Sequence, residues 1–323
     1  MQDDTESQRI EDLWFDDGTL VLQAESSQFR IYKSILSIKS SVLRSILSQP
    51  QKETLEECPL VHLDDPAQDL TYFLKAIFDT EYVCNRLPLL TSSLIPFDRS
   101  FYEKATETEF PILAGVLRLS TKYNVKNLRQ ISLTHLTNIY PTTLEAWEQR
   151  DATRTISGDE PSPLAVLQLA KDANVQGILP AVMYRLTTHS VEDIFDGMTW
   201  NGTHIDTNET DRRTCLLARQ TLITAKRRAI AAFLRSSSDV LSCTTRDPCN
   251  SGRLRAVFTN TDSAEECDPL WDHFDWETYA SDVCSACLSA SKTSYKNART
   301  ALWADLPGIF NLPTWVKLKA SIR

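Results

Sequence analysis

The sequence predicts an α+β protein, with a small β-sheet and helical hairpins followed by a mainly helical C-terminal extension. Two observations predict the sheet: apolar and polar residues alternate over residues 20–24, and a second short strand-like segment occupies residues 29–32. A third observation predicts the helices, because the apolar residues after Lys33 recur with a period of about 3.6 residues. The change of period at Lys33 marks the point where strands give way to helices.

The first strand-like segment lies at residues 13–15, after an acidic, polar stretch over residues 1–11. Asp16, Asp17 and Gly18 form a turn sequence, so we expect residues 13–15 to pair with residues 20–24 in a hairpin. The polar turn at residues 25–28 predicts a second hairpin directly after the first. Residues 1–11 are expected to form a tail outside the sheet.

A pair of short helices is predicted next. Ser40 and Ser41 interrupt the apolar stripe, and the hydroxyl of either can accept a hydrogen bond from the first turn of the second helix. Pro50 ends the segment. The stripe consists of Ile35, Leu36, Ile38, Val42, Leu43, Ile46 and Leu47.

The first domain continues as a strand, a turn and several helices. Residues 58–63 predict a strand, which the acidic turn at residues 64–66 separates from an amphipathic helix over residues 67–80. Residues 85–109 have no steady period and contain two prolines, which predicts a surface insertion. Helices over residues 110–123 and 125–140 then close this domain.

The second half of the chain is predicted to be helical. The Gly and Pro residues within residues 141–163 indicate a linker. The helical extension then spans residues 164–235, with a loop over residues 197–209, and residues 236–323 form a C-terminal unit that contains Cys and Trp residues. Its tryptophans are expected to be core residues.

Two segments resemble the core of BTB/POZ domains: FRIYKSIL at residues 29–36 and SSVL at residues 40–43. In that family a strand ends in Phe-x-x-His-Lys-x-x-Leu and leads into a helix pair. The wider pattern is similar to BTB proteins that are expanded in mushroom-forming fungi, and the resemblance covers nearly the whole chain. That pattern includes WF at residues 14–15, VHL at 61–63, DLTYFLKA at 69–76 and ILAGVLRLSTKY at 112–123.

The resemblance implies that residues 12–140 form a BTB domain and that the protein acts by binding other proteins. Members of the superfamily are dimerising scaffolds, adaptors for cullin ubiquitin ligases or transcriptional regulators, so a homodimer and a cullin scaffold are the implied partners. Tyr32 stands where most BTB domains carry a histidine. The short N-terminus also departs from relatives that exchange N-terminal elements between dimer partners.

Four cysteines form the candidate metal site. Five residues separate Cys243 from Cys249, while Cys284 and Cys287 form a Cys-x-x-Cys pair. Two close pairs suit one tetrahedral zinc ion with a structural role, since four protein ligands leave no position for a reacting water. Unligated buried thiols and a disulfide or redox role are the alternatives, a disulfide being disfavoured in a reducing compartment.

Other cysteines and one histidine bear on the same site. Cys267 or His273 could replace one of the four ligands. Cys58, Cys84 and Cys215 lie in apolar contexts and are expected to be buried thiols.

Composition and charge limit the remaining classes. The formal net charge of −9 argues against broad binding to phosphate backbones. The exception is the basic helix at residues 211–235. Through this helix the protein could bind nucleic acid or an acidic partner, and it would then act as a transcriptional regulator. No apolar run is long enough to span a bilayer and the N-terminus is unlike a signal peptide, so we expect an intracellular protein of the cytoplasm or nucleus.

Enzyme motifs are missing from the sequence. It contains no Gly-rich phosphate loop, no Gly-x-Ser-x-Gly motif and no His-Glu-x-x-His pair, and its five histidines are scattered singly. We therefore expect a non-enzymatic protein without catalytic residues, whose cofactor is at most one structural zinc ion.

Overall fold

The computed structural model describes residues 7–78, 107–235, 240–261, 268–270 and 274–321. It confirms the α+β class, with a small sheet early in the chain and helices after it. The chain divides into two compact units. Unit 1 comprises residues 1–139, 152–160 and 172–174, and unit 2 comprises residues 140–151, 161–171 and 175–323.

Unit 1 contains a five-stranded sheet with the strand order β1-β3-β2-β5-β4. The strands are β1 (Gln8–Trp14), β2 (Leu20–Ala24), β3 (Ser27–Ile31), β4 (Glu53–Leu55) and β5 (Cys58–His62). Strands β2 and β3 are antiparallel, as are β4 and β5, whereas β2 and β5 run parallel. The predicted hairpin of residues 20–24 and 29–32 is therefore confirmed as β2–β3.

The predicted hairpin between residues 13–15 and β2 is wrong. Strand β1 pairs with β3 instead, and this pairing is parallel. Both edges of β2 are already occupied by β3 and β5, so the edge open to β1 is that of β3. Gly18 does lie in a turn, because its backbone N–H donates to the carbonyl oxygen of Phe15 at 2.9 Å. A Cβ there would lie 2.8 Å from Cγ of Arg30 and 2.9 Å from the same oxygen, so the site favours glycine.

Strand β1 also corrects the extent of the N-terminal tail. The strand begins at Gln8, so residues 8–11 belong to the sheet and not to a polar tail. Most of these side chains are exposed, which explains why they lack an apolar pattern. Residues 1–6 lie outside the described part of the chain.

The helices of unit 1 begin close to the predicted positions. They are α1 (Lys33–Lys39), α2 (Ser41–Leu47), α3 (Ala67–Phe78), α4 (Phe110–Lys122) and α5 (Lys126–Ile139). The buried core they share with the sheet comprises Leu13, Leu20, Leu22, Ala24, Phe29, Ile31, Leu36, Leu43, Leu47, Val61, Leu70, Phe73, Leu74, Val116, Leu119, Tyr123, Val125 and Leu128. The apolar side chains that alternate along the strands and recur along the helices thus pack in one core.

Tyr32, at the position of the family's histidine, joins β3 to α1. Its hydroxyl donates a hydrogen bond to Asp17 Oδ1 at 2.6 Å, and its ring centroid lies 5.1 Å from that of Phe15. The side chain therefore binds back onto the turn before β2. This contact gives the residue a structural role.

Of the acidic pair after β5, Asp64 and Asp65, the second residue binds groups at the end of α4. Asp65 is buried and accepts hydrogen bonds from the hydroxyl of Tyr123 and from Lys122 Nζ, the latter at 2.6 Å. It therefore anchors the segment before α3 to the end of α4. Asp16 and Asp17 are exposed at a turn, as predicted.

The predicted insertion at residues 85–109 lies mostly outside the described residues, of which its last three, 107–109, are part. Thr108–Glu109 forms a short strand, β6, which precedes α4. It pairs in parallel with β7 (Ile156–Ser157). The end of the predicted insertion is thus regular structure.

The segment predicted as a linker, residues 141–163, contains regular structure. It contains α6 (Leu144–Glu148), α7 (Arg150–Thr153) and β7. Trp147 is only 3% exposed and its ring lies 5.5 Å from that of Tyr184 within unit 2. Burial of this indole holds the segment in place despite its Gly and Pro content.

The C-terminal half is mainly helical, as predicted. Its helices are α8 (Pro163–Asp172), α9 (Leu179–Thr187), α10 (Val191–Asp196), α11 (Glu209–Arg235), α12 (Arg246–Thr261), α13 (Trp276–Asp282), α14 (Ser285–Ile309) and α15 (Trp315–Ser321). Trp303 is buried and stacks on Trp315 at 5.7 Å, so these tryptophans are packed within unit 2. Among the described helices, none combines the length and apolar character needed to cross a membrane.

The predicted loop at residues 197–209 contains a small hairpin. Strands β8 (Met198–Trp200) and β9 (Thr203–Ile205) are antiparallel. Asn201 and Gly202 have positive φ angles of 47° and 74°, as a two-residue hairpin turn requires. The Asn-Gly pair is a recognised hairpin signal, and the strands were missed because each has only three residues.

Candidate metal centre

The four predicted cysteines lie together in unit 2. Cys243 is in the loop before α12 and Cys249 is in the first turn of that helix, while Cys284 immediately precedes α14 and Cys287 is in its first turn. The four sulfur atoms all lie within 4.8 Å of one another. The sulfurs of Cys243 and Cys284 are 3.9 Å apart, and all four cysteines are free.

Two hydrogen-bonding groups lie next to the sulfur of Cys249. The backbone N–H of Cys284 donates to this sulfur at 3.2 Å, so the two cysteine pairs are joined directly. Thr245 Oγ1 also lies 3.2 Å from the same atom.

The four thiols differ in their surroundings. Cys249 and Cys287 are buried, whereas Cys243 and Cys284 are partly exposed. The backbone amide groups of Cys287 and Thr244 favour the Cys284 thiolate and lower the pKa of this thiol to about 6. Burial raises the pKa of the Cys287 thiol, because a charged sulfur there would lose its hydration.

A close approach of two backbone segments brings the cysteine pairs together. A Cβ at Gly252 of α12 would lie 2.6 Å from the carbonyl oxygen of Asp282, so only glycine allows this contact. Arg255 then pairs with the carboxylate of Asp282, with an Nη2 to Oδ1 distance of 2.9 Å. Both contacts lie just before Cys284 and hold it against α12.

A small aromatic cluster lies in the same part of unit 2. Its buried members are Ala256, Phe274, Tyr279 and Tyr295, and Trp276 packs against them. The Phe274 and Trp276 ring centroids are 4.4 Å apart. Among the residues that the structure describes, this cluster has four buried members, whereas the core of unit 1 has eighteen.

Sequence reasoning missed two residues of this centre, Gly252 and Arg253. Arg253 is 2% exposed, and its positive charge acts on the Cys287 thiol, where it opposes the effect of burial on the pKa. It lies four residues after Cys249, so the two share one face of α12. That spacing is the signal that could have identified Arg253 from the sequence.

The other predicted candidates are separate from this centre or outside the described residues. Cys84, Cys267 and His273 belong to the latter group. Cys58 and Cys215 are buried thiols, as predicted. The Cys58 thiol donates to the carbonyl oxygen of Gly18, and burial raises the pKa of Cys215 to about 12.

The basic helix of residues 211–235 lies within α11, where two of its arginines bind groups of unit 2. Arg212 pairs with Asp206 at 2.7 Å. Arg219 donates to the carbonyl oxygens of Thr187 and His189, at 2.5 and 2.6 Å. These two guanidinium groups hold unit 2 together, so the basic surface is smaller than the sequence suggests.

Comparison with known proteins found no match to this chain among family models, curated proteins or solved structures.

Proposed function

We propose that this protein is a non-enzymatic scaffold for protein–protein interaction, with a BTB-type domain in unit 1 and a zinc-stabilised helical extension in unit 2. The order of elements in unit 1 carries the proposal. Strand β3 ends at Ile31 and leads directly into the helix pair α1 and α2, and strand β5 is followed by α3. This is the arrangement of strand, helix pair, strand and helix that the resemblance implies.

An apolar surface on the helix pair supports self-association. Ile38 of α1 is 74% exposed, whereas Leu36, two residues earlier, lies in the core. Ile35, Val42 and Ile46 are partly exposed on the same pair. Burying these side chains between two copies would remove apolar surface from water, which favours a homodimer.

A groove between α4 and α5 supports binding of a helical partner. It encloses a cavity of about 190 Å³ within unit 1. Its apolar lining residues are Ala76, Ile112, Leu113, Val116, Leu128 and Ile131. Grooves of this kind accept the apolar face of an amphipathic helix, so the groove suits the adaptor role with a cullin scaffold as partner.

The four-cysteine cluster supports one structural zinc ion per chain. In a tetrahedral site with Zn–S bonds of about 2.3 Å the sulfurs lie about 3.8 Å apart. The 3.9 Å between Cys243 and Cys284 agrees with that spacing. The ion would hold the loop before α12 and the start of α14 together, and four protein ligands would leave it no position for a reacting water.

Native mass spectrometry on the full chain, purified without added metal or chelator, tests self-association. We expect a dimer that Ile38→Glu converts to a monomer, because the buried carboxylate would lack a partner. Val316→Glu is the matched control, since Val316 is 80% exposed in unit 2. A monomeric wild-type protein would rule out the homodimer.

The same spectra test the metal. We expect one zinc ion per chain, lost in Cys287→Ser and kept in Cys58→Ser, because Cys58 lies in unit 1 and not in the cluster. A wild-type chain without metal would leave the four cysteines as packing residues.

A pull-down with a purified cullin tests the adaptor role. We expect capture by the wild-type chain, loss of capture in Ile131→Asp and no change in Thr134→Asp, which alters an exposed position of the same helix. Failure of the wild-type chain to capture the cullin would remove the adaptor role and leave the scaffold with a different protein partner.

A further inference from the structure

A buried arginine lies on the helix that carries Cys249, and its charge acts on a sulfur of the candidate metal centre. Arg253 is almost completely excluded from water, and it lies one helical turn after Cys249 on α12. Its charge acts on Cys287, which belongs to the other cysteine pair. One cation therefore lies on the same helix as one cysteine pair and acts on a thiol of the other pair.

The guanidinium group of Arg253 has no counter-ion among the residues that the structure describes. Its Nε and Nη1 atoms are buried and have no hydrogen-bond partner within those residues. The nearby Arg255, by contrast, is exposed to solvent and pairs with Asp282. Burying a cation without a compensating anion is strongly unfavourable, so an anionic group is needed next to Arg253.

A zinc ion bound by four thiolates is such an anion. The thiolates contribute four negative charges and the ion two positive charges, so the complex carries two net negative charges. The first turns of α12 and α14 direct their partial positive charge toward the same sulfurs, which balances only part of this charge. The positive charge of Arg253, which acts on Cys287, would balance part of the remaining negative charge.

We propose that Arg253 is the buried counter-cation of the zinc–thiolate complex and that it sets the affinity of the centre for the metal. This inference rests on the proposed zinc site. Arg253 does not bind the ion; it acts through the sulfur atoms as a positioning and charge-compensating residue. In return, the metal complex supplies the anion that allows the arginine to be buried.

The test compares the zinc affinity of four full-length proteins, measured by competition with a chromogenic chelator. They are the wild type, Arg253→Met, Arg253→Lys and Arg246→Met. Methionine keeps a long apolar side chain without charge, while lysine keeps the charge. Arg246→Met removes an exposed charge from the same helix and is the matched control.

We expect Arg253→Met to weaken zinc binding by about 10- to 100-fold, as is usual when groups that support metal ligands are removed. Arg253→Lys should remain within about 10-fold of the wild type. Arg246→Met should not differ from the wild type, because solvent screens an exposed charge. With Co²⁺ in place of Zn²⁺, the sulfur-to-cobalt charge-transfer band of Arg253→Met should shift to lower energy, a change that a packing role alone would not produce.

The possible failures can be told apart. A wild-type chain that binds no zinc overturns both the zinc site and this inference. A wild-type chain that binds zinc, with equal affinity and the same cobalt spectrum in Arg253→Met, overturns only the role of Arg253. If Arg253→Met does not fold, wild-type affinity in Arg253→Lys supports the charge role, and a large loss of affinity in a folded lysine variant overturns it.

Discussion

At the scale of single residues, Ser40 shows how one hydroxyl joins three elements of unit 1. Its Oγ accepts a hydrogen bond from the N–H of Leu43 at 2.9 Å, which caps α2, and donates to the carbonyl oxygen of Tyr123 at 2.6 Å. Ser40 is fully buried, whereas its neighbour Ser41 is exposed. The sequence predicted a serine cap at this position, and only the structure distinguishes between the two serines.

We expect Ser40→Ala to destabilise the protein by about 1–2 kcal/mol, because the first turn of α2 loses its cap and a buried carbonyl loses its donor. Ser41→Ala is the control and should change the free energy of unfolding by less than about 0.5 kcal/mol, as exposed substitutions usually do. Urea unfolding followed by circular dichroism measures both. Equal losses in the two variants would contradict this account.

At the scale of secondary-structure elements, the close approach of α12 to the end of α13 places the cysteine pairs together. Periodicity predicts helices, but it does not predict that Gly252 lies against Asp282. The missing Cβ lets the two backbones touch, and the pair formed by Arg255 and Asp282 holds them. Convergence of the four sulfurs therefore depends on a residue that binds no metal.

Gly252→Ala should destabilise the zinc-loaded protein by about 1–3 kcal/mol and weaken zinc binding, because the new methyl group overlaps the Asp282 backbone. Gly308→Ala is a matched control in α14, where a Cβ would have open space. There alanine should be neutral or stabilising by up to about 1 kcal/mol, since it favours the helix over glycine. Thermal unfolding measures the change in stability, and chelator competition measures the change in zinc affinity. A Gly252→Ala protein with the stability and zinc affinity of the wild type would refute the close approach.

At the scale of the whole molecule, one part of unit 2 has a smaller apolar cluster than unit 1. Unit 1 combines a five-stranded sheet with a large apolar core. The part of unit 2 around α12, α13 and the start of α14 has a much smaller aromatic cluster. In the proposed scaffold, zinc binding would supply the stability that this cluster does not, since structural zinc contributes about 10–16 kcal/mol in small zinc-binding peptides.

Removing the metal with a chelator should therefore unfold part of unit 2 and leave unit 1 intact. We expect amide hydrogen exchange to increase strongly over residues 246–261 and 276–295, while the amides of β2, β3 and β5 keep their protection. Hydrogen-exchange mass spectrometry on the full chain, with and without the chelator, measures this difference. Unchanged exchange around α12 would argue against a metal that stabilises the fold.

The sequence by itself determined the features that depend on neighbouring residues. The β2–β3 hairpin, the pair α1–α2, the long C-terminal helices and the two close cysteine pairs, Cys243 with Cys249 and Cys284 with Cys287, follow from alternation, helical period, capping and short cysteine spacings. Each of these signals lies within one stretch of chain, where local backbone geometry decides the outcome.

Only the tertiary structure decided the features that join distant stretches. In the structure β1 pairs with β3, Trp147 holds the expected linker in place, and Arg253 is buried where its charge acts on Cys287. Strand pairing depends on which sheet edges remain free, and the burial of a charge depends on an anion that other parts of the chain must supply. Both depend on interactions between residues that are far apart in the sequence, so a local pattern of residues does not predict them.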